Sequence, residues 1–262
     1  MTDHIRIAIL GSGSRGNSAV VECGGARLLI DAGLSSRQLA GRLRDLGVDP
    51  ASLHGILLSH EHADHVRGLR VFLKQWSVPV FCTALTGRVV REVGISGGQW
   101  KHFEAGQPFT VAGAAVRTFA LQHDAVDPVG FVIGDGTRSV GLVSDVGDVT
   151  RNLTESLSGV HGLFIEANYD EELLAADAKR PWSIKQRISS RHGHLSNTQC
   201  AGLLREIAHP RLSRVVAGHL SSDCNTPATA LRILRAGLAE AGHPGVEIQC
   251  ATQDTPTGWL SI

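Results

Sequence analysis

The most informative stretch of this chain is Gly55-Ile56-Leu57-Leu58-Ser59-His60-Glu61-His62-Ala63-Asp64-His65-Val66-Arg67-Gly68-Leu69. Its first four residues predict a buried strand, because a short apolar run followed by polar residues is typical of one. His60 and His62 lie two positions apart and can face the same side of an extended chain, whereas Asp64 and His65 begin a helical turn. Four candidate metal ligands therefore leave the end of one strand, where α/β sheets place their sites.

The arrangement of these ligands in two pairs predicts two metal ions. Neutral imidazole and carboxylate suit zinc, manganese and similar divalent ions, whereas a magnesium or calcium site would be richer in oxygen. The alternative is a solvated histidine-rich turn. Four ligands within six residues, directly after an apolar strand, favour the metal site.

The composition is that of a globular protein, with 42% hydrophobic and 19% charged residues. The 262 residues predict one domain, residues 1–262, since no proline-rich linker or repeat divides the chain. The 25 basic and 25 acidic residues balance, so no global charge indicates nucleic acid or an anionic membrane as a partner.

The N-terminal apolar run is too short for a signal peptide or a membrane helix, which predicts a cytoplasmic protein without a membrane partner. Five cysteines without CxxC spacing indicate buried free thiols, and neither a disulfide framework nor a thiolate zinc site.

Apolar runs between glycine-rich turns predict a mixed α/β order, because residues 106–144 show strand signals without a helix. Leucines at helical spacing predict helices that end near Gly47 and that follow Thr226-Pro227. A capping box of Ser196 and Gln199 predicts a third helix over 198–208. The predicted strands are Ile5–Leu10, Arg27–Ile30, Gly55–Leu58, Ala114–Phe119, Val129–Ile133, Ser139–Ser144, Gly162–Glu166, Arg214–Ala217 and Glu247–Cys250.

The pattern His60-x-His62-x-Asp64-His65 behind a strand resembles the metallo-β-lactamase superfamily of binuclear hydrolases. The resemblance implies an α/β fold of four layers, an αββα sandwich of mixed sheets with helices outside. In that superfamily a further His, a bridging Asp and a final His follow at strand ends. This sequence offers His123, Asp145 and His219 in that order.

The resemblance also implies how two divalent ions, zinc or manganese, would be shared. One ion would be held by His60, His62 and His123, and the other by Asp64, His65 and His219, with Asp145 as the bridge. Asp31 in Leu28-Leu29-Ile30-Asp31 matches a residue that supports the site.

The segment Arg191-His192-Gly193-His194 before the third helix resembles the phosphodiesterase branch of the superfamily, in which a non-ligand His contacts phosphate or donates a proton. His194 is the expected proton donor, a role that suits imidazole because its pKa lies near neutral pH, and His192 is the less favoured choice. The expected catalytic residues are Asp64 and His194. The alternative for His194 is an exposed residue at the entry of the helix.

Along nearly the full length the sequence is similar to the YycJ/WalJ group. The segments that carry this similarity are Gly11-Ser12-Gly13-Ser14-Arg15-Gly16-Asn17-Ser18, the histidine loop, and those that begin at His123, Glu166, Gly193 and His219. This resemblance implies a 5′-to-3′ DNA exonuclease that uses a hydroxide bridging two metal ions. Tyr169 departs from the pattern, since His is expected there. Asn17, His192 and Asn168 are expected near the ligands or the substrate.

Two further stretches have open interpretations. Residues 179–191, KRPWSIKQRISSR, form a predicted basic loop whose five cations could bind phosphates and whose Trp182 could stack on an unpaired base; a merely solvated loop is the alternative. The Gly11–Ser18 loop could present backbone N–H groups to phosphate, although a tight turn at the site's edge is the commoner explanation.

Other functions stay open beside the nuclease. A small-molecule hydrolase of the same fold, such as a thioesterase of glyoxalase II type, a lactonase or a cyclic-phosphate diesterase, is the main alternative. A β-lactamase and an oxygen-reducing di-iron enzyme are less favoured. A metal-stabilised binding protein for a repair or replication partner is disfavoured because all seven ligand positions are filled.

Overall fold

Two seven-stranded sheets lie face to face in the computed structural model, which describes residues 5–262. One sheet, sheet A, has the order β14-β1-β2-β3-β4-β5-β6, and the other, sheet B, has the order β13-β12-β11-β10-β9-β8-β7. The strands are β1 Arg6–Gly11, β2 Ser18–Cys23, β3 Ala26–Ile30, β4 Gly55–Leu57, β5 Val80–Cys82, β6 Trp100–His102, β7 Phe109–Val111, β8 Ala114–Ala120, β9 Val129–Gly134, β10 Ser139–Val143, β11 Gly162–Glu166, β12 Arg214–Gly218, β13 Glu247–Cys250 and β14 Leu260–Ser261.

Helices cover the outer faces of both sheets. The helices of residues 5–262 are α1 Ser36–Asp45, α2 Ala63–Val66, α3 Leu69–Gln75, α4 Ala84–Glu92, α5 Arg151–Leu157, α6 Glu171–Ala176, α7 Trp182–Ile188, α8 Asn197–Ile207 and α9 Pro227–Glu240, with a short 3-10 turn at Pro50–Ser52. The longest helix of residues 5–262, α9, has 14 residues, and none in this range is long and apolar enough to cross a membrane.

Both sheets are mixed, as predicted. In sheet A, β1 to β3 pair antiparallel and β3 to β6 pair parallel, while in sheet B the antiparallel strands β7 to β10 precede the parallel strands β10 to β13. The antiparallel part of sheet B lies in the segment that the sequence predicted to have strands without a helix.

Alternation along the strands builds three apolar layers. Ile7 and Ile9 of β1 face sheet B in the central layer, where they join Phe131 and Leu142. Ala8 and Leu10 point the other way, toward α1, α3 and α4. On the far side of sheet B, β11 and β12 pack against α5, α8 and α9. The four-layer αββα sandwich is therefore confirmed.

The predicted helices begin and end within a few residues of the observed ones. Helices α1 and α8 each have a capping box, Ser35 with Gln38 and Ser196 with Gln199, and Thr226 caps α9. The prediction of a loop over 179–191 is wrong, because α7 spans Trp182–Ile188 within it. Helix α7 has no fully buried residue, and one apolar pair at helical spacing, Ile184 and Ile188, is too short a pattern to indicate a helix.

Candidate metal centre

The candidate site lies where strands of both sheets end at one edge of the sandwich. Asp31 follows β3, Asp145 follows β10 after one residue, and His219 follows β12. All three have a left-handed backbone, with φ values of 55°, 55° and 52°. Residues other than glycine adopt this conformation at a cost of about 1–3 kcal/mol, and such conformations cluster at functional sites because the sharp turn aims a side chain.

The loop that carries the histidine motif is fixed by backbone contacts. The Asp64 carbonyl accepts a hydrogen bond from Asn17 N at 2.7 Å, and the His65 carbonyl accepts one from Ala32 N at 2.7 Å. Gly33 is required here, since a Cβ at that position would lie 1.6 Å from the Asp64 carbonyl oxygen. The sequence therefore holds α2 and its two ligands against the end of β3.

Three imidazoles form what we call the histidine side of the site: His60, His62 and His123. Their ligand nitrogens lie within 4.8 Å of one another, and His123 Nε2 is 3.3 Å from His62 Nδ1. Burial, followed by the charge of neighbouring histidines, holds the pKa of His60 well below its usual value, and burial also lowers the pKa of His123. Both rings are therefore neutral at pH 7, which is the form that binds a metal ion.

Three further imidazoles face carboxylates in what we call the carboxylate side of the site: Asp64, His65, Glu166, His194 and His219. Burial alone would lower the pKa of His65, but Asp145 and Asp31 outweigh it and raise that pKa well above its usual value. Burial also opposes protonation of His219, yet Asp145, Asp64 and Glu166 raise its pKa to about 10. The carboxylates around these imidazoles therefore stabilise positive charge on this side of the site.

Asp145 lies between the two sides. Its carboxylate is 2.8 Å from His65 Nε2, 3.4 Å from His219 Nδ1 and 4.0 Å from His123 Nε2. Burial opposes its ionisation, but the charges of His219 and His65 hold its pKa well below its usual value. Asp145 is thus an ionised carboxylate within reach of both sides.

Two buried nitrogens test whether these residues fit metal ions. His60 Nε2 and His219 Nε2 have no hydrogen-bond partner within residues 5–262, although such buried groups are normally paired. His60 Nδ1 contacts Ser59 Oγ at 2.9 Å and His219 Nδ1 contacts Glu166 at 3.2 Å, which leaves each Nε2 to the site. The donor set therefore fits divalent ions that accept imidazole and carboxylate ligands.

Asp31 supports His65 directly. Its Oδ2 accepts from His65 Nδ1 at 2.8 Å, and its Oδ1 accepts from Ser59 N at 2.8 Å. Asn17 is buried and contacts the same motif, since its Nδ2 lies 3.2 Å from Asp64 Oδ2 and 3.0 Å from His65 Nε2. The structure thus places both residues beneath the expected ligands.

Asn168 and His192 lie on opposite rims of the cleft in front of the ligands. Asn168 donates from Nδ2 to the His219 carbonyl at 2.7 Å. His192 is exposed, and its carbonyl accepts from Asp124 N at 3.1 Å. Tyr169, where His was expected, is buried with Leu174 in a small cluster, and burial raises its pKa to about 12.

Glu166 is the residue of the site to which the sequence analysis gave no role. It is fully buried at the end of β11 and accepts hydrogen bonds from Asp145 N at 2.7 Å and Leu195 N at 2.8 Å. Its carboxylate is also 3.2 Å from His194 Nδ1. The sequence offers one signal for this role, an acidic residue at the end of the apolar strand Gly162-Leu163-Phe164-Ile165-Glu166. A carboxylate buried at such a position needs cationic or hydrogen-bond donor partners, which points to a site nearby.

His194 faces the same cleft as the expected ligands. Burial opposes its protonation, but Glu166 outweighs burial and raises the pKa of His194. Gly193 positions it, because a Cβ there would lie 2.1 Å from the Ile188 carbonyl oxygen. The loop before α8 therefore passes tightly under the end of α7 and presents the His194 imidazole beside Asp145, at 3.6 Å.

The five cations of residues 179–191 all have partners. Lys179 Nζ is 3.0 Å and Arg180 Nη2 2.8 Å from Asp223, and Arg187 Nε is 2.8 Å from Asp124. Lys185 Nζ donates to the Ala175 carbonyl at 2.7 Å, and Arg191 Nε lies 3.8 Å from Asp148. The stretch is therefore no free basic patch, because acidic residues distant in sequence neutralise most of its charge.

Known proteins place this site in a family. The beta-lactamase superfamily domain matches residues 26–219. The exodeoxyribonuclease WalJ of Streptococcus pneumoniae is 32% identical over 95% of this chain and 94% of its own length. The exodeoxyribonuclease YycJ of Bacillus anthracis is 30% identical over 91% of this chain and 90% of its own length.

A solved structure matches the fold over the whole chain. The metallo-beta-lactamase fold protein YhfI from Bacillus subtilis aligns with a TM-score of 0.75 at 16% identity, covering 100% of both chains. With the sequence relatives and the clustered His and Asp side chains, this agreement establishes that the chain belongs to the metallo-β-lactamase superfamily of metal-dependent hydrolases and, within it, to the YycJ/WalJ group.

Proposed function

We propose that this protein binds two divalent ions, zinc or manganese, and hydrolyses phosphodiester bonds of DNA as a 5′-to-3′ exonuclease. The observation that carries the proposal is the convergence of two ligand sets and the His194 imidazole on a single cleft of about 250 Å³. The relatives that match nearly the whole chain are named exodeoxyribonucleases, which favours DNA as the substrate.

The seven expected ligands would hold the ions at the two sides of the centre. His60, His62 and His123 would hold one, Asp64, His65 and His219 the other, and Asp145 would contact both. When bound, such ions would supply Lewis acidity and neutralise charge on the phosphodiester.

The residues of the chain have three tasks in this proposal. Asp64 and Asp145 keep their ligand atoms ionised, since the neighbouring histidines lower the pKa of both carboxylates against the effect of burial. Glu166 orients His194 through Nδ1 and so leaves Nε2 to donate a proton to the departing oxygen. Asn168 holds the turn that carries His219 at the cleft wall.

The five cysteines are all free thiols in the structure. Free thiols fit a reducing compartment, and we propose that the protein acts in the cytoplasm.

The test is a time course on linear duplex DNA labelled at the 5′ or the 3′ end, with zinc, manganese or a chelator. We expect metal-dependent release of the 5′ label. His194→Ala should slow it about 10²-fold to 10⁴-fold, the usual contribution of general acid catalysis. His243→Ala, at a histidine after α9 and remote from the cleft, is the control and should match the parent protein.

The leaving group separates proton donation from a structural role of His194. A p-nitrophenyl ester of thymidine phosphate releases p-nitrophenolate, which is stable as an anion and needs no proton to depart. His194→Ala should therefore slow its hydrolysis far less than that of DNA. An equal loss on both substrates would contradict proton donation. DNA that stays intact with every metal, while a lactone or thioester is hydrolysed, would establish small-molecule hydrolysis instead.

A further inference from the structure

The cleft is bounded opposite the metal ligands by a segment that we call the strap, residues 171–188, which contains α6 and α7. Asp64, Asp145 and His219 line this cleft together with Ile184, Arg187 and Ile188 of the strap. The volume of about 250 Å³ lies just below the roughly 300–1,000 Å³ of pockets for drug-sized ligands. The cleft is therefore small for a nucleic-acid strand.

Ion pairs hold the strap at both of its flanks. Arg180 Nη2 is 2.8 Å from Asp223, on the loop that follows β12, and Arg187 Nε is 2.8 Å from Asp124, on the loop that follows β8. The strap thus crosses from the loop with His219 to the loop with His123. Apolar burial contributes little to holding α7, since that helix has no buried residue.

The strap offers an apolar surface to the cleft. Ile184 is 40% exposed and lines the cleft, and Ile188 is half-buried against the cluster of Tyr169 and Leu174. An isoleucine surface beside phosphate-binding groups suits the flat face of a nucleobase. Trp182 is 70% exposed at the first turn of α7, farther along the same helix.

The cleft continues on its other side. A second groove of about 330 Å³ shares Ser14 and Ser221 with the cleft and runs past Arg15 toward Gln253. Its lining carries several hydroxyl groups, among them those of Ser12, Ser222 and Thr252, which can contact a phosphate backbone. A strand that enters along this groove would meet the metal centre first and the strap next.

We propose that the strap is the end-stop of the enzyme: it admits one nucleotide beyond the bond that is cut, so that the chain removes mononucleotides and spares circular strands. This inference rests on the proposed nuclease function and adds the element that makes cleavage depend on a strand end. Arg180 and Arg187 act as positioning residues that hold the strap, and Ile184 contacts the terminal base.

The experiment compares a linear single-stranded oligodeoxynucleotide with the same sequence ligated into a circle, using manganese-loaded protein. The parent protein should release nucleoside monophosphates as its first products from the linear strand and leave the circle intact. Dinucleotides or longer fragments as first products, or a cut circle, would overturn the end-stop. Failure to cut either strand, together with failure to degrade the linear duplex, would instead refute the proposed function.

The triple variant Lys179→Ala/Arg180→Ala/Arg187→Ala removes both cations that pair with Asp223 and the one that pairs with Asp124. It should release the strap, produce fragments longer than one nucleotide and cut the circle. Arg191→Ala is the matched control, because it lies in the same stretch and its closest carboxylate, on Asp148, is 3.8 Å away. Hydrogen exchange over residues 182–188 reports whether the strap is loosened. Faster exchange with unchanged products would refute the end-stop, and unchanged exchange would refute the role of these ion pairs.

Discussion

The two sides of the metal centre differ in the partners of their imidazole rings. On the histidine side, His60 Nδ1 faces the Ser59 hydroxyl at 2.9 Å and His123 Nδ1 faces the Gly193 carbonyl at 3.1 Å, both neutral. On the carboxylate side, the corresponding nitrogens of His65 and His219 face carboxylates, at 2.8 and 3.2 Å.

This difference has a consequence for metal affinity. An anionic acceptor makes an imidazole more electron-rich and fixes its orientation, which strengthens its bond to a metal ion. We therefore expect the carboxylate side to bind its ion more tightly than the histidine side. The comparison also explains the opposite pKa shifts of the two sides, lowered for His60 and raised for His65.

The largest effect is expected at Asp145, which alone among the described ligand candidates lies within 4 Å of histidines from both sides. Asp145→Asn keeps the shape and removes the charge, so metal-dependent DNA hydrolysis should fall below detection. Asp148→Asn, three residues on and part-exposed, is the control in the same assay. Appreciable hydrolysis by Asp145→Asn would show that the two sides do not depend on this residue.

Glu166→Gln should have the next largest effect, because it replaces the anionic partner of His194 and His219 with a neutral one. Outer partners of metal ligands typically contribute about 10-fold to 100-fold in affinity or activity, and we expect a loss in that range. Titration with manganese should show a weaker carboxylate side. Glu155→Gln, in an exposed ion pair with Arg151, is the control. Parental affinity and rate in Glu166→Gln would contradict the importance of the anionic partner.

Ser59→Ala should have the smallest effect. It removes a neutral partner of His60, and a net hydrogen bond of about 0.5–1.5 kcal/mol corresponds to a loss of roughly twofold to tenfold. Steady-state hydrolysis of the labelled DNA measures it. Because Ser59 Oγ also contacts Asp31 at 2.8 Å, a thermal melt should accompany the assay. A loss larger than that of Glu166→Gln would reverse the ranking of the two sides.

Much of the centre could be predicted because its residues directly follow apolar strands or lie in one short loop. The histidine motif occupies six consecutive positions, and Asp145 and His219 appear at the ends of strands that the sequence already marked. Glu166 escaped prediction because it resembles the end of any strand until His194 and His219, distant in sequence, are found around it.

The strap shows the opposite case. Its helix α7 has a single apolar pair at helical spacing, Ile184 and Ile188, so the sequence favoured a loop. Its cations looked free because Asp124 and Asp223 lie far along the chain. Local patterns report which face a segment buries. They do not report charge pairs between segments that only the fold brings together.

The most direct test of the two-sided centre is the number of metal ions per chain. It is measured by mass spectrometry of metal content after dialysis against excess manganese or zinc and then against metal-free buffer. We expect about two ions for the parent protein. We expect about one ion for His123→Ala, because this substitution leaves the carboxylate side intact. One ion in the parent protein, or complete loss of metal in His123→Ala, would contradict the account.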